Sequence, residues 1–251
     1  MLLRLLGEIW LAAGGGRCPM KNLPVLFCGI LFMLVAPWCG LILGSNVQLG
    51  SLQPGAADEG APVYPKITGG LAAQGRAVYT EMGCVYCHTQ QPRPASAEIL
   101  LSQTVKTKTG ASVELVYLSP DIARSWAKRG AVPRDYIYQD HPLLGLFRNG
   151  PDLADVGARA ISLPSSDWHY QHLYDPQITS KGSMMPPFRF LFKTQKIGDR
   201  PSPLALNLPA SEPMQPAPGY EIVPTDRAIA LVAYLRSLNQ DYELPEVKFA
   251  P

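Results

Sequence analysis

The chain is short of net charge. Against 22 Lys and Arg stand 20 Asp and Glu in 251 residues, a formal balance of +2. That gives no polyelectrolyte signature, so nucleic acid is not expected as a partner. Cysteine is scarce as well. Five residues make no disulfide framework: Cys28 and Cys39 lie in an apolar run, Cys18 stands apart, and only Cys84 and Cys87 form a spaced pair. No nucleophile triad, carboxylate pair or phosphate loop accompanies that pair, so bond-making chemistry by the chain itself is not expected. What is abundant is proline and glycine, 25 and 22 residues. With 47% of residues hydrophobic, this load reads as loop-rich architecture with few sheets rather than low-complexity disorder. The length allows one or two domains.

The spaced pair opens Cys84-Val85-Tyr86-Cys87-His88. Two cysteines three apart with histidine directly after the second form the c-type haem attachment signature. Each thiol adds to one vinyl group of the same porphyrin, so both sulfurs must sit on one short turn. The next residue then lies beneath the ring, where its imidazole can bind iron. Alone, the same five residues also suit a redox dithiol or half a zinc site.

Residues 23–43 carry no charge and, as a helix, cover the ~30 Å hydrocarbon core of a bilayer. Pro24 falls in the first turn, and Pro37 is expected to kink the interior. The run exceeds a signal-peptide core and no A-x-A site follows, which favours a retained anchor over a cleaved signal. Arg4, Arg17 and Lys21 precede it and no Lys or Arg follows until Lys66, so residues 1–22 are expected in the cytoplasm and the C-terminal part outside. Met20-Lys21-Asn22 reads as a natural start, with residues 1–19 untranslated. Residues 44–66, rich in Gly, Pro, Ser, Gln and Ala, read as a flexible tether, and residues 67–251 as one domain.

Residues 71–82 have helix-forming composition with Gly75 and Tyr79 four apart. Residues 225–238 form a second amphipathic pattern with Thr225 as N-cap and Asp226 in the first turn. One helix before the Cys-x-x-Cys-His and one closing the chain resembles class I cytochrome c, in which the terminal helices cross; Gly75 would let Tyr234 approach. A second axial group is sought in Ser183-Met184-Met185-Pro186-Pro187. Met185, before the proline, is the first choice and Met184 the neighbouring alternative; Met82 is too close to Cys84 to reach the opposite face. His141 would give a bis-His haem. Gly150-Pro151-Asp152-Leu153 resembles the class I turn in which the proline carbonyl accepts a hydrogen bond from the proximal imidazole and the leucine packs on the ring; by itself it is also an ordinary Gly-Pro turn.

An ordered series narrows the resemblance. Arg93-Pro94 is followed by Tyr138-Gln139-Asp140-His141-Pro142, then Arg148-Asn149-Gly150-Pro151-Asp152-Leu153-Ala154-Asp155-Val156-Gly157. Trp168-His169-Tyr170-Gln171-His172-Leu173-Tyr174-Asp175-Pro176 comes next, and the methionine loop last. Over the anchor and residues 70–192 the chain resembles the membrane-anchored mono-haem cytochrome c subunit (subunit II, FixO/CcoO-like) of cbb3-type cytochrome c oxidases. The fold class implied is mainly α: one N-terminal transmembrane helix plus a class I cytochrome c-like haem domain with long loop insertions, near 95–134 and 193–222. The resemblance implies one covalent haem c, thioether links at Cys84 and Cys87, axial ligands His88 and Met185, and Pro151 and Leu153 against the ring. It implies a non-catalytic redox subunit, on the periplasmic side of a bacterial inner membrane, relaying electrons from a c-type donor to a haem–copper catalytic subunit beside another c-type cytochrome subunit. The haem c subunit of a nitric oxide reductase, or a stand-alone anchored carrier, are the competing readings. His169 and His172 are expected to pack and hydrogen-bond near the haem rather than bind metal, for want of a third ligand. Residues 104–116 are expected to form a hairpin around Thr109-Gly110. Pro92 beside Arg93 departs from the family's usual motif.

Overall fold

The computed structural model describes residues 22–93, 104–106, 112–114, 120–159, 165–210, 213 and 215–249. The expected start at Met20 lies outside them. The chain divides into two compact units, one ending at Leu52 and the other beginning at Gln53.

In the first unit a single helix, α1, runs from Leu23 to Gly50. Its 28 residues span about 42 Å at 1.5 Å each, more than a bilayer core requires. None of its side chains is buried within the unit. Pro24 sits in the first turn, where its missing N–H costs nothing. Pro37 is followed by six residues of wider π-helix, Trp38–Leu43, a local adjustment that accommodates a proline inside an apolar helix. The helix runs on past the residues 23–43 expected as anchor. The segment Gly44–Gly50 continues the helix, because no proline interrupts it before Pro54.

The second unit contains α2 (Gly70–Glu81), α3 (Pro120–Ala123), α4 (Asp167–Tyr174), α5 (Pro176–Thr179) and α6 (Asp226–Ser237). Two antiparallel ribbons accompany them: β1 (Thr104–Lys106) with β2 (Ser112–Glu114), and β3 (Phe192–Lys196) with β4 (Tyr220–Pro224). The mainly helical class expected from the sequence is the one found.

α2 and α6 cross, and glycine decides how closely. A Cβ on Gly75 would lie 1.9 Å from the Ala230 carbonyl oxygen and 2.7 Å from Tyr234 Cβ, so no larger residue fits. Tyr79 and Tyr234 then meet edge to face at 5.4 Å. Thr225 caps α6 by accepting the Ala228 N–H. Buried Leu231, Val232 and Leu235 carry the contact into a core shared with Leu173, Tyr174, Leu191 and Phe192. Each such aliphatic side chain contributes ~1.5–3 kcal/mol when removed from water.

One loop stretch gains structure at its ends. The ends of the 193–222 stretch pair as β3 and β4, with Thr194 opposite Ile222, because Phe192, Ile222 and Val223 have a core to enter. The connection between these strands is held by buried Glu221, which accepts from the Ser202 N–H at 2.8 Å and the Gln195 amide at 2.7 Å. Of the hairpin expected over 104–116, β1 and β2 pair with Val105 opposite Val113, and Thr109-Gly110 lies outside the described residues.

The tether is the larger correction. Beyond α1, residues 53–66 form a strap bound to the C-terminal tail. Gly55 and Tyr64 exchange backbone hydrogen bonds at 2.8 and 2.9 Å, with a turn at Gly60 (φ +81°) between them. The Tyr64 ring stacks on Tyr242 at 4.1 Å, and Lys248 pairs with Asp58 at 3.1 Å. The Arg134 guanidinium bonds both the Gln53 carbonyl and Glu246. Beneath lies a fully buried pair: Arg129 grips Asp135 with two hydrogen bonds, 3.0 and 2.8 Å, and Tyr242 donates to the same carboxylate. Removing one partner of such a pair costs ~3–5 kcal/mol. Glycine and proline here make tight turns rather than slack.

Candidate haem site

α2 ends at Met82, and Gly83 turns the chain in a left-handed conformation (φ +74°) that glycine adopts without strain. The chain then winds into a 3₁₀ turn, Cys84–Tyr86, and the N–H groups of Cys87 and His88 both donate to the Cys84 carbonyl, at 3.1 and 2.9 Å. Residues three apart on such a turn share a face. Cys84 is half-buried against the core and Cys87 is exposed; both are free thiols. Burial pushes the Cys84 thiol up to about 11.

Residues 144–154 wrap the turn. The N–H groups of Leu146, Gly150 and Leu153 donate to the carbonyls of Val85, Cys87 and Thr89, while the Gln90 N–H donates to Leu144. Two glycines make this closeness possible. A Cβ on Gly145 would lie 2.5 Å from the His88 carbonyl oxygen, and one on Gly150 would lie 2.2 Å from His88 Cε1. Gly150 thus serves as a floor for the imidazole. Asp152 is fully buried and accepts from Thr89 Oγ1 (2.6 Å), the Gln91 N–H (2.8 Å) and the Ala154 N–H (2.9 Å). The same loop is fixed outward by Arg148, which bonds the Gln91 carbonyl and pairs with buried Asp121 at 2.6 Å.

His88 Nδ1 lies 2.9 Å from the Pro151 carbonyl oxygen. A carbonyl only accepts, so Nδ1 carries the proton and Nε2 keeps its lone pair. Burial lowers the pKa of His88, which favours the same neutral ring.

On the other side, α4 and α5 lead into the methionine loop. Met185 is half-buried and packs against the same core as Cys84, Val85 and Leu153, whereas Met184 is 86% exposed. Met82 also reaches that core, from the end of α2. His141 is exposed, its backbone carbonyl bonded by Arg76. Cys84, Leu153 and Met185 thus pack on one core, as Met82 does; His88 is tied to Pro151, while Cys87, Met184 and His141 are exposed.

His169 and His172 lie on α4. The Trp168 ring stacks on His172 at 4.6 Å, and His172 Nδ1 meets Thr179 Oγ1 at 2.6 Å. Burial brings both histidines down to about 4. Among the described residues no group of three or more His, Cys, Asp or Glu could hold a metal ion. Sequence reasoning missed Arg159. Its Nη2 donates to the carbonyls of Trp126 and Asp152, its charge disfavours protonation of His88, and its buried Nε has no partner among the described residues. A half-buried, under-satisfied cation near the imidazole suits an anionic group, as a haem carboxylate is.

These residues fit a haem: a neutral imidazole whose Nε2 keeps its lone pair, two thiols on the turn before it, half-buried apolar side chains nearby and a half-buried cation. The fold and site define a cytochrome c-like domain preceded by a helix long and apolar enough to cross a membrane. Residues 123–203, about a third of the chain, match the family described as cytochrome c oxidase, mono-heme subunit/FixO, so over that stretch the chain is similar to those subunits. A comparison with curated proteins gives no match. The matched stretch holds the Gly-Pro-Asp-Leu turn, α4 and the methionine loop, but not Cys84 to His88, so motif and family are separate observations. It also takes in 123–134 and 193–203, parts of the two regions expected to be insertions.

Proposed function

We propose that this chain is the electron-relay subunit of a cbb3-type respiratory oxidase, anchored in a bacterial inner membrane with its haem domain on the periplasmic side. It takes electrons from a c-type donor and passes them to the haem–copper subunit that reduces dioxygen. The observation that carries this reading is the His88–Pro151 hydrogen bond over Gly150, which presents Nε2 as a ligand in a fixed direction. Cys84 and Cys87 would hold the haem through thioether bonds, His88 and Met185 would ligate its iron, and Leu153 would pack against it. When bound, the haem supplies a one-electron couple whose potential a thioether ligand raises relative to imidazole.

The chain's own residues do the rest. Pro151 fixes the tautomer of His88 and, by accepting its proton's hydrogen bond, strengthens its donation to iron. Gly150 and Gly145 let the backbone close over the ring, and the apolar border of Val85, Leu153 and Met185 limits water and therefore reorganisation on electron transfer. Arg159 offers charge to a haem carboxylate.

Co-purification in detergent tests the assignment: a haem–copper subunit is expected with the chain, and its absence would remove the oxidase reading. Replacing Met185 with Ala is expected to give a high-spin or misligated haem of lower potential. A spectrum unchanged there but lost in Met184→Ala would move the ligand by one residue.

A further inference from the structure

The methionine loop has few ties, and one side chain supplies two of them. Gln177, in α5, donates from Nε2 to the Ser183 carbonyl at 2.6 Å and accepts the Gly182 N–H on Oε1 at 2.9 Å. Its amide thus bridges the two residues that lead into Met184 and Met185. The next tie follows directly: the Met185 N–H donates to Ser183 Oγ at 3.2 Å. Gln177 is itself fixed, since its own N–H is capped by Asp175 Oδ1 at 3.0 Å, and Asp175 also pairs with Arg189 beyond the loop. The far end is closed by the Phe188 N–H on the Leu173 carbonyl at 2.8 Å. Gly182 makes the turn in a left-handed conformation (φ +82°), where a Cβ would meet nothing within 4 Å; among the described residues the Gln177 amide and the Ser183–Ser180 backbone bond hold this end.

We infer that Gln177 is a positioning residue for Met185. By holding Gly182 and Ser183 with one planar amide, it sets how often the loop lifts and how readily the thioether is displaced. The inference rests on the reading of Met185 as an axial ligand. Neither hydrogen bond touches the haem side of the site, so the effect should appear in loop opening and not in haem attachment.

The test uses the full-length holoprotein in detergent and imidazole as a probe that must displace the methionine to bind ferric iron. In Gln177→Leu, imidazole affinity is expected to rise roughly tenfold, the size of effect that loss of one or two exposed hydrogen bonds permits. Gln177→Glu keeps the acceptor for Gly182 and should fall between Leu and the parent. Covalent haem content and the thermal midpoint should stay at parental values, which separates loop opening from general weakening. An imidazole affinity in Gln177→Leu equal to that of the parent overturns the inference. Met185→Ala is measured alongside: if it too binds imidazole no more tightly than the parent, the ligand assignment itself falls.

Discussion

The two sides of the haem site are built differently. On the side of His88, residues 144–154 lie against 84–91 with four backbone hydrogen bonds, a buried carboxylate accepting three more, and two glycines with no space for a methyl group. On the side of Met185, an exposed amide, one serine hydroxyl and a backbone bond at each end hold the loop. The first side is packed so that backbone and ring constrain each other; the second is held by fewer hydrogen bonds, with Met185 alone of its two methionines packed on the core. On the reading proposed above, a relay would gain from both: the histidine would fix the iron's place relative to the fold, and the methionine loop would be where potential and access are adjusted.

Glycine substitution should divide the two sides most sharply. Gly150→Ala places a Cβ 2.2 Å from the His88 ring, and the expected cost is about 3 kcal/mol or more together with loss of the Pro151 hydrogen bond. Gly182→Ala meets no neighbour and should cost only about 1 kcal/mol, from its left-handed backbone. Denaturant midpoints and haem content of the two purified variants decide the matter; equal losses would erase the distinction.

Acid should also act unequally. His169 and His172 stand near 4 in the folded chain against 6.5 when unfolded, so the unfolded chain binds more protons between those values. Their stability is complete above about pH 6.5 and is lost as the pH falls toward 4. Asp155 has the opposite sign. Burial raises it from 3.8 to about 6, so the folded chain is the better proton binder and gains in part of the same window; Asp152 is raised in the same direction. The histidines should win by about 2 kcal/mol between pH 7 and pH 5. A urea midpoint that fails to fall over that range contradicts this balance. His169→Gln should reduce the fall, since glutamine does not titrate.

The smallest effect expected is at Met184. It is almost fully exposed, and Met184→Ala should change stability by less than about 0.5 kcal/mol and leave the haem spectrum as it was. A spectral change there would mean that the loop turns its other methionine inward.

Short-range features of the site were legible in the sequence, and long-range ones were not. Cys84, Cys87 and His88 stand out because one turn must carry them all, and Gly75 stands out because a helix crossing needs a small residue. The partnership of Arg129 with Asp135, the three donors on Asp152 and the place of Arg159 depend on segments far apart in the chain. Gln177 resembles any surface glutamine until the loop it holds is folded back beside it. The strap misled for a different reason. Glycine and proline in residues 53–66 signal turns, and nothing in their composition says that Tyr64 has Tyr242 to stack on.

The fit of Gly150 beneath the imidazole also bears on the order in which the molecule is made. Cys84 packs against the core, Gly150 lies under the His88 ring and Gly145 against the His88 carbonyl, and Cys87 has its carbonyl already engaged. On the reading proposed above, two vinyl groups must reach both sulfurs and the iron must reach Nε2, and a chain already closed in this way leaves little passage for a porphyrin. Attachment therefore belongs before closure, with the wrap of residues 144–154 acting as the step that seals a finished cofactor in place. Maturation machinery would have to meet an open chain, and closure would then withdraw the site from it.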